Sequence, residues 1–106
     1  PLFVRMYELK NRTLISKADF IELYEDDKKV LGADFIAKHE LKRFKPGVNR
    51  TEHFVLDKKA NHVALFAEFL GFKDSKYKLV LPVIANNVFR NKVIIRVTSN
   101  ELVLQE

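Results

Sequence analysis

At 106 residues, 47% hydrophobic and 31% charged, the chain is sized for one domain burying roughly 60 to 70% of its unfolded surface, and its composition excludes disorder. It contains no cysteine, which excludes disulfides, thiolate metal sites and a cysteine nucleophile in these residues, and no apolar run approaches the ~18 residues of a transmembrane helix. The net charge of +5 comes from 19 Lys and Arg against 14 Asp and Glu, but the basic residues recur singly or in pairs such as Lys28-Lys29, Lys42-Arg43 and Lys58-Lys59, which reads as solvated strand ends rather than a polybasic site.

Residues 1–10 predict a strand. Leu2, Val4 and Met6 point one way while Phe3, Tyr7 and Leu9 point the other, interrupted by Arg5, so the strand is expected to be covered on both faces. A short helix follows over residues 16–25. Ser16 is placed as its N-cap, Asp19 completes a capping-box pattern three residues on, and Phe20, Ile21, Leu23 and Tyr24 form an apolar face. Glu25, Asp26 and Asp27 are expected to cap a further turn over residues 28–31, closed by Gly32. Residues 33–38 are ambiguous between helix and strand.

Beyond them, residues 41–45 and 50–56 flank Pro46-Gly47, the pair that a type II turn requires. They predict a hairpin whose first arm bulges, because Leu41 and Phe44 fall out of phase. Residues 62–70 and 77–84 predict two more strands around a loop at 71–75, each with apolar residues on both faces. Pro82 donates no ladder hydrogen bond, so its strand is expected at an edge or a bulge. Val93, Ile95 and Val97 alternate with Ile94, Arg96 and Thr98, Ser99-Asn100 turns the chain, and Leu102 and Leu104 continue the last arm. About six strands in all describe an all-β two-sheet sandwich, one domain over residues 1–106 with a helical insertion at about 16–31.

Side chains for chemistry are scattered. His39, His53 and His62 lack metal-ligand spacing, and the acidic group Glu22, Glu25, Asp26 and Asp27 lacks the alternating oxygens and central glycine of a calcium loop. Gly32, Gly47 and Gly71 stand singly, and Ser16, Ser75 and Ser99 sit in cap or turn contexts outside a nucleophile elbow. Most phenylalanines fall in periodic apolar segments and read as core, with Phe72 and Phe89 in loops. No catalytic, cofactor-binding or metal-binding residue is assigned.

The blocks Val4-Arg5-Met6-Tyr7-Glu8-Leu9-Lys10, Ala18-Asp19-Phe20 with Leu23-Tyr24-Glu25-Asp26-Asp27, Leu31-Gly32-Ala33-Asp34 and Lys45-Pro46-Gly47 resemble, in order and spacing, those of the TssJ family. These are outer-membrane lipoproteins of bacterial type VI secretion systems, also called VasD or SciN. The resemblance implies a transthyretin-like two-sheet β-sandwich with a helical insertion after the opening strand, no cofactor and no enzymatic activity. It implies a structural component lipid-anchored at the periplasmic face of the outer membrane. There the family binds the periplasmic C-terminal domain of TssM, with TssL in the larger complex, and so tethers that complex to the membrane. The family's lipidated cysteine is not among these residues, and Pro1 is similar in place to the start of the family's second strand. The first strand, and the loop after it that the family uses on TssM, are therefore expected upstream.

Strands joined by short loops reverse at each connection, so alternate loops gather at one end of a sandwich. The upstream loop would share its end with the 46–49 turn, the 71–75 loop and the Ser99-Asn100 turn. This nominates Val48, Asn49, Phe72, Lys73 and Asp74 as partner-binding residues near the TssM surface. No nucleic acid or small-molecule substrate is expected. The alternative is a carbohydrate- or cell-surface-binding sandwich, which needs an exposed aromatic cluster, and Phe72 with Tyr77 is the candidate. Glycan-array binding would distinguish it, whereas a basic nucleic-acid module would bind with steep salt dependence.

Overall fold

The computed structural model describes residues 2–45, 49–53, 55–69, 71, 73, 76–83, 92–97 and 102–105, with the backbone alone for residues 2, 42, 49–53, 92–97 and 102–105. In chain order these form strand β1 (Leu2–Leu9), helices α1 (Thr13–Lys17) and α2 (Phe20–Leu31), and strands β2 (Phe35–Phe44), β3 (Asn49–His53), β4 (His62–Ala67), β5 (Lys78–Pro82), β6 (Lys92–Val97) and β7 (Leu102–Gln105). The fold is mostly β, with its helical segment directly after the first strand. One antiparallel sheet runs in the order β2-β1-β4-β5, and β3, β6 and β7 pair antiparallel in the order β3-β6-β7.

The two-faced apolar pattern of β1 explains its central place. Val4 and Met6 join Leu41, Phe44, Leu56, Val63, Leu65, Ala67 and Phe69 in one buried cluster. On the opposite face Tyr7 and Leu9 pack with Ile15, Phe20, Leu23, Leu31, Ala64 and Phe66 beneath the helices. Each such side chain contributes roughly 1.5 to 3 kcal/mol by leaving water, so both faces are needed to hold the sheet. Phe20 anchors α2 to β4 and to the entry of β5, its ring centroid lying 5.0 Å from that of Phe66 and 5.2 Å from that of Tyr77, the latter edge-on.

The helical segment starts differently from the sequence expectation. Ser16 lies inside α1 and is no N-cap. Ala18 is extended (ψ 138°), which ends α1, and the capping box is set one turn later. Asp19 Oδ1 accepts from Glu22 N–H at 2.8 Å while Glu22 Oε1 accepts from Asp19 N–H at 3.1 Å. The N-terminus of α1 has no cap of its own. Instead the buried Asp34 reaches it from the far end of the segment, accepting Leu14 N–H at 3.2 Å. The expected further turn exists, because α2 breaks at Asp26 (φ −149°, ψ 54°) before continuing to Leu31. Gly32 then closes it at φ +48°.

The strands also part from the hairpin reading. β2 begins at Phe35 and pairs with β1, whereas β3 pairs with β6, so the two arms flanking Pro46-Gly47 are not partners. Both-faced burial along β1 gave it two neighbours, and the local turn signal is overridden by that longer-range pairing. Pro46, Gly47 and the Ser99-Asn100 turn lie outside the described residues. The bulge expected near Leu41 and Phe44 is present, as pairing shifts from Leu2 with Phe44 to Val4 with Leu41. The extra residue in β2 turns both side chains into the same core, 6% and 2% exposed. Pro82 lies on β5, at the edge of the four-stranded sheet, as its missing donor requires.

Candidate functional site

The densest polar arrangement among the described residues sits between α2 and the sheet, and it begins with Arg5, one of the two charged residues of β1. Arg5 is flanked by Val4 and Met6, which face the other core, so its own side chain runs under the helix. There its Nη1 donates to the Leu23 carbonyl at 3.0 Å and its Nη2 to the Tyr24 carbonyl at 3.3 Å. In an unbroken helix the Tyr24 carbonyl would receive Lys28 N–H. Here that N–H donates to Asp27 Oδ1 at 2.8 Å, because the backbone departs at Asp26. Arg5 thus supplies from the sheet the donors that the broken helix cannot.

Asp27 completes the arrangement. Its Oδ2 accepts from the Tyr7 hydroxyl at 2.8 Å and lies 2.9 Å from Lys38 Nζ and 3.4 Å from Arg5 Nη1. Arg5 Nε also faces Glu68 Oε2 at 3.3 Å. Burial opposes the charge of Arg5, but the Tyr7 hydroxyl and Glu68 outweigh it and raise its pKa. Burial, helped by the bond to Asp27 and opposed by Arg5, pushes the Tyr7 phenol well above its ordinary range. Burial would raise the Asp27 carboxyl, yet bonds from Lys38 and Tyr7 and the Lys28 N–H hold it below the usual carboxylate range. All three groups therefore keep one protonation state near neutrality. That fits a latch fixing the helix to the sheet rather than a proton-transfer site.

Two further charged groups, the buried Glu8 and the half-buried Lys78, are likewise consumed by the fold. Glu8, 2% exposed, accepts Asp57 N–H at 2.6 Å and faces His39 Nε2 at 2.5 Å. Lys78 Nζ donates to the Ile15 and Ala18 carbonyls at 2.8 and 2.7 Å, closing the C-terminus of α1. Burial depresses its pKa against the opposing pull of Asp19 and Glu22. Among the described residues no group of three or more His, Cys, Asp or Glu is placed to hold a metal ion.

The sequence-nominated residues are described unevenly. Val48, Phe72 and Asp74 lie outside the described residues, Asn49 opens β3, and Lys73 is exposed. Leu2 pairs with Phe44 and Val4 with Ala67, so β2 and β4 end at the same side of the sheet. Asn49 pairs with Arg96 near the end of β6. Tyr77, the other half of the aromatic pair considered for glycan binding, packs edge-on against Phe20 and Phe66 and offers no open platform. The Arg5 arrangement itself was not anticipated as a site. Its signal was a charge, Arg5, set in the largely apolar, doubly covered strand β1, which requires a buried counterpart.

A family model described as T6SS-SciN, type VI secretion lipoprotein, VasD, EvfM, TssJ, matches residues 1–100. Among solved structures the chain is similar to the T6SS lipoprotein TssJ1 from Pseudomonas aeruginosa, with 23% identity over 99% of this chain and 79% of that one and a TM-score of 0.82. It is similar to a chain in a structure described as a type VI membrane complex, at 26% identity over 99% and 81% of the two chains and a TM-score of 0.78. A third likeness is to a chain in a structure described as the T6SS protein TssM C-terminal domain from EAEC, at 27% identity over 98% and 82% and a TM-score of 0.75. No curated protein matches the chain.

Proposed function

The chain belongs to the family of type VI secretion lipoproteins VasD, EvfM and TssJ, and on that premise we propose that it tethers the secretion membrane complex to the outer membrane by binding the periplasmic C-terminal domain of TssM. Its role is that of a membrane-bound structural lipoprotein and not of an enzyme. The observation that carries the proposal is the family match over residues 1–100. The likenesses to chains in structures described as a type VI membrane complex and as a TssM C-terminal domain support the choice of partner. The protein acts from the periplasmic face, with TssL in the larger assembly.

Its finer architecture is a transthyretin-like sandwich in which the β3-β6-β7 ladder covers the Val4 side of the four-stranded sheet. In support, Met6, Val63 and Leu65 are fully buried on the side away from α2, and buried apolar side chains need a second layer. The TssM contact is at the end of the sandwich to which strand alternation assigns the 46–49 turn, the 71–75 loop and the Ser99-Asn100 turn, through Val48, Asn49, Phe72, Lys73 and Asp74. Exposed Lys73 supplies a charge there that a reversal can test. The experiment is affinity purification of the tagged lipoprotein from detergent-solubilised envelopes. TssM co-purifies with the unaltered protein and is depleted by Lys73→Glu; intact lipoprotein recovered without TssM would overturn the proposal.

A further inference from the structure

Basic residues that stand singly or in pairs along the sequence are brought together by the fold at one end of the four-stranded sheet. β1 ends at Leu9, and the chain beyond it carries Lys10 and Arg12, both exposed, before α1 begins. The turn that precedes β4 is bound to the same strand end. Asn61 N–H donates to the Leu9 carbonyl at 2.9 Å, and the Asn61 side chain donates to the Lys10 carbonyl at 3.0 Å. The turn itself closes by Ala60 N–H donating to the Asp57 carbonyl at 3.0 Å, with Lys58 and Lys59 as its exposed tip. Its base is fixed by Asp57 N–H donating to the buried Glu8 at 2.6 Å. Lys10, Arg12, Lys58 and Lys59 therefore share one end of the sheet, on connections that the backbone holds in place.

The acids at this end do not answer them. Glu8 and Asp34 are buried, Glu8 facing His39 and Asp57 N–H, Asp34 taking Leu14 N–H and the Asn11 side chain. Asp57 is exposed, and its Oδ1 accepts Lys59 N–H at 2.8 Å. Among the described residues none of the four cations makes an ion pair or a side-chain hydrogen bond. Val55, two residues before the turn, is 89% exposed, so an apolar side chain accompanies the charges. The position favours one partner class. The loop end proposed for TssM lies at the other end of β1, where Leu2 pairs with Phe44 and Val4 with Ala67. A membrane-bound lipoprotein that holds a partner at one end has a bilayer within reach of the other. Long cationic side chains on a turn and a loop, beside an exposed apolar group, suit a fluid layer of phosphates over acyl chains.

We propose that Lys10, Arg12, Lys58 and Lys59 form a contact surface for the anionic phospholipid headgroups of the membrane that carries the lipoprotein, a second hold beside its lipid. The proposal rests on the reading of a membrane-bound lipoprotein and is independent of the TssM contact. Flotation of the chain with vesicles at low ionic strength tests it. The chain rises with equimolar phosphatidylglycerol and phosphatidylethanolamine vesicles and stays behind with phosphatidylcholine vesicles, and the difference closes as salt is added. Arg12→Glu and Lys58→Glu, both at exposed positions, each weaken binding about fivefold or more with unchanged melting temperature. Lys45→Glu makes the same change in net charge at the opposite, exposed end of β2 and leaves binding within about twofold. Equal recovery with both vesicle types, no recovery with either, or a loss in Lys45→Glu as large as in Lys58→Glu would overturn the proposal. So would tighter binding to a DNA duplex than to the anionic vesicles at equal phosphate, which would point to nucleic acid instead. The vesicles contain no TssM and the chain needs no lipid to be tested, so such a result would refute this surface alone and leave the tethering role standing.

Discussion

Replacing Arg5 by Met keeps most of the stem and removes the charge, which isolates what the guanidinium does for the broken helix. The Leu23 carbonyl, partly buried, loses its 3.0 Å donor, and an orphaned buried acceptor costs about 1 to 2 kcal/mol. The Tyr24 carbonyl is exposed and rehydrates at little cost. The pair with Glu68, whose side chain is 21% exposed, contributes about 0.5 to 1 kcal/mol after solvent screening. Stacking of the guanidinium on Phe66, 5.3 Å from the ring centroid, is partly replaced by the thioether of Met. Asp27 retains Tyr7 and Lys38, so the full penalty of a stranded buried charge is avoided. The expected loss is about 2 to 3 kcal/mol, a melting temperature lower by about 10 to 20 °C for a domain of this size. Urea unfolding followed by circular dichroism measures it. A loss below about 0.5 kcal/mol would refute the assignment, because the carbonyls at the break would then have to be satisfied without Arg5.

The shifted capping box separates two serine- and aspartate-based readings: Asp19→Ala is expected to cost about 1 kcal/mol and Ser16→Ala less than about 0.5 kcal/mol, read from the same unfolding curves. Gly32→Ala is expected to cost about 1 to 3 kcal/mol from backbone strain at φ +48°, since a Cβ there would meet only Leu14 Cδ1 at an ordinary 3.7 Å; an unchanged midpoint would contradict the strain. The depressed Asp27 pKa contributes stability that is present above the ordinary carboxylate pKa of about 4 and is lost as pH falls through the lower folded-state value. Stability measured from neutral pH down into that acid window therefore falls less steeply for Asp27→Asn than for the parent, and parallel curves would show that Asp27 gains nothing from its partners.

What the sequence revealed depended on whether the governing contact was local. The two-faced pattern of β1 announced a central strand, and Val4 with Met6 on one core and Tyr7 with Leu9 on the other follow from period-two alternation alone. Pro82 at an edge, the bulge between Leu41 and Phe44, and Gly32 as the helix stop are likewise local properties of single residues. The partner of β2 was not local. Pro46-Gly47 pointed to a hairpin, but the burial available to β1 on both sides recruited β2 there, and β3 went to β6. The capping box moved by one turn because Ser16-Asp19 and Asp19-Glu22 have the same spacing, and only the extended Ala18 chooses between them. Of the site, the resemblance carried the family, whereas the Arg5-Asp27 latch joins residues from β1, α2, β2 and the chain after β4 that no spacing rule connects.

The central claim is that this lipoprotein grips TssM directly. Calorimetric titration of the chain against the periplasmic C-terminal domain of its cognate TssM tests it most simply. The account predicts saturable one-to-one binding that Lys73→Glu weakens; a folded chain that releases no heat and shows no binding across the titration would contradict it.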